Sequence, residues 1–486
     1  MTILPPASSP ESPSAFDPKD WDAFRRMGHQ MIDDLTAELQ GLAQGPVWRP
    51  MPADVREGFR TTSPVAPTPL GVIYDDYQSL VAPYAGGNRH PGFMGWVQGG
   101  GAPVGALAEL LAAGLNMNCG GRDHVGIALE QQIAIWVRQW FGFPETSAGL
   151  FVTGASMANF VACLAARSKV LGDGSRRMGV SGARVTAYAS QGSHACVLRA
   201  MEMAGLGREA LRLVPVNVDF QMDIRVLERL IDTDIEAGFQ PFLITGTAGT
   251  VDVGAFDDLE ALADLSDRYG IWLHVDGAFG ALGVHSERVR PKLAGLHRAQ
   301  SVAFDFHKWG QVPYDAGFII AADGARLMDA FASPAAYLAR EPEGMAAGDF
   351  WPNDYGPDLS RGCRALKTWF VLRAHGVQAI GASIDRGLDL AIALKQRIAC
   401  EPMLEPLGPA DLNIVCFRYR CDNVDAINSR IVQRLHTAGR VAPSLTRING
   451  KVAIRAALFN PRSTLADINA LVDSVLEQGA ELAGKA

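Results

Sequence analysis

The chain has 486 residues, 48% of them hydrophobic and 20% charged, which excludes a disordered polymer and calls for a large core with smaller terminal pieces packed on it. Forty-four basic against 52 acidic side chains leave a formal charge of -8, which argues against a broad nucleic-acid or anionic-membrane surface. Seven cysteines (Cys119, Cys163, Cys196, Cys363, Cys400, Cys416, Cys421) are scattered without CxxC spacing, pointing away from a disulfide framework or metal site and toward a reducing, cytoplasmic compartment.

Residues 1–16 lack a basic start and apolar run and read as a Pro/Ser-rich flexible arm rather than a signal peptide. Segment 17–90 opens with DPKDWDAFRRMGHQMIDDLTAELQGL, where Trp21, Phe24, Met31, Ile32, Leu35 and Leu39 fall close to helical spacing. So terminal an amphipathic helix has little of its own domain to pack on, so docking on a partner subunit, in a homodimer, is expected. Within 91–370, helical stretches such as ALEQQIAIWVRQWFG and RVLERLIDTDIEAG alternate with apolar runs such as ARVTAYAS, PFLITGTAGT, IWLHVDGAFG and SVAFDFHK. That alternation predicts an α/β large domain with a mainly parallel sheet, whose ligands bind at the carboxyl ends of the strands. In 371–486 the pattern changes to long helices and alternating strands, LNIVCFRYR and KVAIRAAL among them, which reads as a smaller α+β domain. No apolar run approaches the roughly 20 residues needed to span a bilayer.

The sharpest signal is an acid and a lysine at the ends of two separate apolar strands, Asp276 in GIWLHVDGAFGA and Lys308 in SVAFDFHKWG. Alone, the first reads as a solvated strand end or helix cap and the second as a snorkelling lysine. Together they supply what pyridoxal 5′-phosphate requires: an amine for a Schiff base with its aldehyde, and a carboxylate that keeps its pyridine nitrogen protonated. Partial burial beside His307 and the cofactor is expected to lower the pKa of Lys308. The stretch GLFVTGASMANFVACLAAR reads as strand, small-residue turn and helix, which makes Gly154, Ala155 and Ser156 a phosphate cradle or simply a capped helix start. In YASQGSHACVLRAMEMAGLG, His194 stands between strand and helix, as a cap or as an imidazole stacked on a flat cofactor. Ala278 leaves room for the opposite ring face.

These segments, with HPGFMGW, GTAGTVDVGAFDDL, SRGCRALKTW and IRAALFNP, resemble group II pyridoxal phosphate-dependent amino acid decarboxylases, among them aromatic L-amino acid decarboxylases, over nearly the whole chain. The resemblance implies the aspartate aminotransferase-like type I fold. It also implies Lys308 as the Schiff-base lysine, Asp276 as the pyridine partner, His194 and Ala278 as the ring sandwich, and Ala155 and Ser156 as phosphate contacts. Thr250, Asp257, Asp305 and His307 follow as further cofactor-site residues, the alternatives being a helix cap for Asp257 and mere support of Lys308 for His307.

The implied reaction is decarboxylation of an L-amino acid, aromatic by preference, to an amine. In the family a loop tyrosine supplies the final proton, and a phenylalanine there accompanies conversion to an aldehyde. Here the loop YLAREPEGMAAGDFWPNDYGPDLSR puts Phe350, Trp351 and Pro352 near that place and Tyr355 several residues away, so oxidative decarboxylation-deamination to an aldehyde stays open. A non-catalytic cofactor-binding subunit is the third alternative. For the substrate, Trp96 is expected to stack on a planar side chain and Arg361, ahead of Arg455, to recognise a carboxylate or orient the loop, the alternative for either arginine being a structural or solvent-exposed role. Asn88, Arg89, Asn118, Arg122 and Asp123 are polar choices that a plain phenyl or indole pocket does not need.

Overall fold

The computed structural model describes residues 16–333, 336–409 and 411–484; the predicted arm, apart from Phe16, lies outside the described residues. The strands in chain order are β1 (Phe93–Met94), β2 (Ala148–Val152), β3 (Val185–Ser190), β4 (Leu211–Val214), β5 (Gln240–Thr247), β6 (Trp272–Asp276), β7 (Ser301–Asp305), β8 (Gly317–Ala321), β9 (Leu404–Leu407), β10 (Ile414–Tyr419), β11 (Ala442–Ile448) and β12 (Lys451–Ala457).

Seven of them form one sheet in the order β2-β8-β7-β6-β5-β3-β4. Strands β3 to β7 run parallel, and β8 alone opposes its neighbours. In the interior strands both faces are buried, so they are mostly apolar and successive side chains enter different cores. Phe151, Leu273, Val275, Val302 and Phe304 join one cluster, while Leu150, Val152, Trp272 and Ala303 join the other. On the second face lies helix Ala155–Leu171, whose Ala155, Ala158, Ala162, Ala165 and Ala166 are buried; their small side chains let its backbone come close to β6, β7 and β8.

The remaining five strands form a second sheet, β1-β11-β12-β10-β9, covered by helices Val424–Ala438 and Leu465–Ala483. Two features cut across the predicted division at 370/371. Strand β1, placed by sequence in the large domain, pairs with β11 in this second sheet (Phe93↔Ala442), because a two-residue strand carries no readable period. Helix Arg364–Ala399 runs straight through the expected boundary and bends at Gly376, whose φ is 71°. The N-terminal helix starts at Trp21, not beside Asp17, since Asp20 caps it by accepting from the amides of Asp22 and Ala23. None of its residues is buried. Among the described residues, no helix is long and apolar enough to cross a membrane.

Candidate active site

Strands β6 and β7 are parallel neighbours with Asp276 opposite Ala303, so their carboxyl ends, Asp276 and Asp305, fall on one edge of the sheet. The chain then turns through His307 and Lys308, whose amide donates back to the Asp305 carbonyl at 3.4 Å. This turn brings Lys308 Nζ to 2.8 Å from Asp305 Oδ2. Asp276 is 3% exposed; its Oδ1 accepts from Ala278 N at 3.1 Å and its Oδ2 from Asn159 Nδ2 at 3.0 Å. Burial raises its pKa, opposed by Lys308, by the Ala278 and Asn159 donors and by His194. Burial pulls the pKa of Lys308 down, but the Asp305 carboxylate, with Asp276 acting in the same sense, holds it above the ordinary value.

Asp305 also reaches the start of helix Ala155–Leu171, where its Oδ1 accepts from Ala155 N at 2.7 Å. A buried helix N-terminus attracts negative charge, and here the chain's own carboxylate supplies it at the amide expected to meet phosphate. Gly154 precedes this amide as the N-cap, and Ser156 is exposed on the first turn. His194 caps helix Ala195–Met203 by accepting from Cys196 N at its Nδ1, 3.2 Å away, and its ring is exposed. His307 is buried and accepts from Ala316 N at its Nδ1 (3.0 Å); its ring lies 4.2 Å from that of Tyr314, and burial lowers its pKa. Thr250 closes the turn after β5, its hydroxyl accepting from Ala255 N at 2.9 Å. Asp257 is a staple behind that strand: its two oxygens accept from Met222 N at 2.6 Å and Thr247 N at 2.7 Å. The cap of the following helix is Asp258. With its carboxylate spent on backbone amides, Asp257 supports β5 rather than facing a ligand.

The residues present fit pyridoxal phosphate. A lysine amine with an 18% exposed side chain stands over a buried carboxylate, beside a helix N-terminus and an exposed imidazole. Space is left around them: a Cβ built on Gly154 or Gly192 would meet nothing nearer than 3.8 Å or 3.5 Å.

The residues expected to meet substrate fare differently. Arg361 is a correction: it is 4% exposed and donates to Glu130 Oε1 and Phe151 O, both at 2.6 Å, and to Cys119 O at 2.9 Å. Its charge is matched inside the protein. Asn118 shapes the adjoining turn, its Oδ1 accepting from the amides of Gly120 and Arg361, both at 3.1 Å. Arg455, also buried, donates to the carbonyls of Val251, Asp252 and Trp96. Trp96 itself is 55% exposed with φ of 48°, held by its backbone, and its half-open ring lies 6.1 Å from that of Phe93 and 6.5 Å from that of His436. Close by, a Cβ on Gly99 would strike the carbonyls of His307 and Lys308 at 2.4 and 2.7 Å, so this segment lies directly on the lysine turn. In the loop, Phe350 and Tyr355 pack on each other, rings 4.6 Å apart. Trp351, 1% exposed, anchors the loop under Arg122, 4.6 Å from its ring, and Asn353 N donates to Gly120 O at 3.0 Å. The loop is thus docked on the 118–124 turn.

Sequence reasoning passed over Asn159 and His274, whose side chains meet behind Asp276 at 2.7 Å. A signal existed: Trp272, His274 and Asp276 alternate along β6 and share a face, and Asn159 is a polar residue on an otherwise apolar helix face.

Comparison with known proteins follows the same lines. The family model described as pyridoxal-dependent decarboxylase conserved domain matches residues 52–420. An aromatic-L-amino-acid decarboxylase of Bacillus atrophaeus is 30% identical over 454 residues, covering 91% of this chain and 92% of that protein. A phenylacetaldehyde synthase of Arabidopsis thaliana is 26% identical, covering 91% and 93%. Among solved structures, Oryza sativa TDC with PLP and tryptamine superposes with a TM-score of 0.89 at 23% identity, covering 96% of this chain and 100% of that one. Mouse CSAD gives 0.88 at 23% identity, covering 95% and 99%.

Proposed function

The chain belongs to the pyridoxal-dependent decarboxylase family, and from that premise we propose that it converts an aromatic L-amino acid to its amine and carbon dioxide at the site around Lys308. It is a pyridoxal phosphate enzyme of the type I fold, acting on an amino acid. The observation that carries the assignment of the site is the convergence of Lys308, Asp305, Asp276 and His194 beside the start of helix Ala155–Leu171.

When bound, pyridoxal phosphate supplies an aldehyde that joins amines and a ring that accepts the electrons released at the substrate's α carbon. Lys308 would attach it, Asp276 would pair with its ring nitrogen, His194 would lie on one ring face and Ala278 on the other, and residues 154–156 would meet its phosphate. Lys308 must lose a proton before its amine can add to a carbonyl, and Asp305 Oδ2, at 2.8 Å, opposes that loss by stabilising the ammonium. His194, with Nδ1 committed to Cys196 N, keeps Nε2 for a proton on the ligand side.

Support for an aromatic substrate comes from the polar residues that suggested something unusual. Asn88 donates to Gly99 O, Arg89 pairs with Glu38, Asn118 shapes its own turn and Arg122 lies over Trp351. Their polarity is used within the protein, and the exposed Trp96 ring remains for a planar side chain. The second reading, oxidation to an aldehyde, draws support from Phe350 near the position expected for a tyrosine and from Tyr355, whose ring rests on it. A homodimer accounts for the N-terminal helix with no buried residue, Trp21 and Phe24 being 59% and 50% exposed. A cytoplasmic location agrees with buried, unpaired cysteines at 119, 163, 196, 363 and 416.

The test is incubation of the purified holoenzyme with phenylalanine, tyrosine, tryptophan and non-aromatic amino acids, with dissolved oxygen followed by electrode and products by mass spectrometry. An amine without oxygen uptake is expected. Aldehyde with oxygen consumed establishes the second reading, and turnover confined to non-aromatic amino acids refutes the substrate class.

A further inference from the structure

Behind Asp276, away from the ligand side, four buried polar side chains connect in a line. Trp272 Nε1 lies 2.8 Å from Ser301 Oγ, and Ser301 Oγ 2.8 Å from His274 Nδ1. His274 Nε2 lies 2.7 Å from Asn159 Oδ1, and Asn159 Nδ2 3.0 Å from Asp276 Oδ2. Register explains the line: His274 of β6 stands opposite Ser301 of β7, and Trp272, His274 and Asp276 share the face of β6 that meets helix Ala155–Leu171. The five residues are at most 3% exposed.

The polarity of the line is set from the carboxylate end. An ionised carboxylate can only accept, so Asn159 turns its NH2 to Asp276 and its Oδ1 to His274, whose Nε2 must then carry the proton. With His274 neutral, its Nδ1 accepts the Ser301 hydroxyl hydrogen, and the Ser301 oxygen keeps a lone pair for the Trp272 indole N–H. Burial agrees, holding His274 at a pKa of about 3. Without the histidine donor, the two ends of the Asn159 amide would compete for the carboxylate, and the wrong one would point an oxygen at an oxygen.

We propose that Trp272, Ser301, His274 and Asn159 are positioning residues: a one-way chain of donors that holds Asp276 as an oriented, acceptor-only carboxylate for the cofactor's ring nitrogen. The proposal rests on the assignment of Asp276 given above, and it extends the cofactor site four side chains into the core. No residue of the chain beyond Asp276 touches the cofactor; each acts through the next, as outer partners of a bound group do.

Two measurements test it. In cofactor-free protein carrying 15N-histidine, long-range 1H–15N correlation of the His274 ring should show the Nε2-protonated neutral form, unchanged between pH 5 and 9; an Nδ1-protonated or cationic ring overturns the chain. This needs no variant. In the second, the dissociation constant of pyridoxal phosphate is followed by quenching of tryptophan fluorescence in Asn159→Ala, His274→Phe, the double variant and Ser301→Ala. Each of the first two should weaken binding by about 10- to 100-fold, and the double variant should be no weaker than Asn159→Ala, because His274 acts only through Asn159. Ser301→Ala, which keeps every ring in place, should weaken binding less but measurably, and should mix the two histidine tautomers. Additive losses, or unchanged binding in His274→Phe or Ser301→Ala, overturn the proposal. Asp276→Asn in the same titration separates the two readings: if that change leaves binding intact, the assignment of Asp276 fails whatever form His274 takes.

Discussion

Asp305 to Asn is the sharpest single perturbation of this site, because it changes one charge and leaves the shape. The asparagine Oδ1 can still accept from Ala155 N, now at 2.7 Å, so the helix start stays capped. What disappears is the carboxylate oxygen 2.8 Å from Lys308 Nζ, which, with Asp276 acting in the same sense, raises the lysine's pKa against the effect of burial. A hydrogen bond to a charged group contributes about 1.5–3 kcal/mol, so its loss lowers the Lys308 pKa. The neutral amine is the form that attacks the aldehyde, so capture of cofactor should become faster by about 10- to 100-fold below the original pKa. Stopped-flow mixing of cofactor-free protein with pyridoxal phosphate, read by the visible absorbance that follows covalent capture, gives the rate at each pH. Simple removal of repulsion between Asp305 and phosphate would raise the rate equally at every pH, whereas the loss of the lysine's counter-charge moves the midpoint downward. A midpoint that stays in place or rises refutes the claim that Asp305 holds the proton on Lys308.

Two further outcomes follow from buried groups. Arg361→Met strands Glu130, since the pair is 1% and 2% exposed in its side chains; denaturant unfolding should show a loss of about 3–5 kcal/mol, largely restored by adding Glu130→Gln, and a selective rise in KM at intact stability would return Arg361 to the substrate. Asp257 has a folded pKa of about 6, raised by burial from an ordinary 3.8, so its contribution to stability is complete below pH 4 and is lost as pH rises through 6. Asp257→Asn cannot accept from both Met222 N and Thr247 N and should cost about 1–3 kcal/mol. The stability gap between wild type and variant should shrink between pH 4 and 6, and a gap that widens there contradicts the assigned sign.

Much of this was legible in the sequence because a buried parallel sheet announces itself. Strands hidden on both faces are apolar runs, and a charged residue at the end of such a run stands out, as Asp276 and Lys308 do; Asp305 came only with the family resemblance. What stayed hidden depends on partners distant in sequence. Nothing in SRGC marks Arg361 as the mate of Glu130, and an arginine beside a mobile-looking loop suggests a ligand until the buried glutamate is seen. The surroundings of Lys308 were foreseen only in part: its burial was expected, whereas Asp305 Oδ2 at 2.8 Å, which acts against burial, depends on a turn the sequence does not show. The β1 pairing was invisible because two residues have no periodicity, and Asn159 because one amide in an alanine-rich helix reads as an exception rather than as a connection.

The way the two sheets are joined decides which residues remain to discriminate substrates. Buried Arg455, on β12, gathers the carbonyls of Val251 and Asp252 after β5 together with that of Trp96, and Trp96 N donates to Ser444 Oγ on β11 at 3.3 Å. The segment carrying Trp96 is therefore clamped to the small sheet at one end and, at Gly99, lies against the Lys308 turn at the other. A wall held this way by backbone contacts leaves its side chain replaceable. Asn118 and Arg361 differ in that each is committed to hydrogen bonds within the protein. On the proposed function, Trp96 is therefore the residue whose replacement is expected to alter selectivity among planar side chains at least cost to the fold.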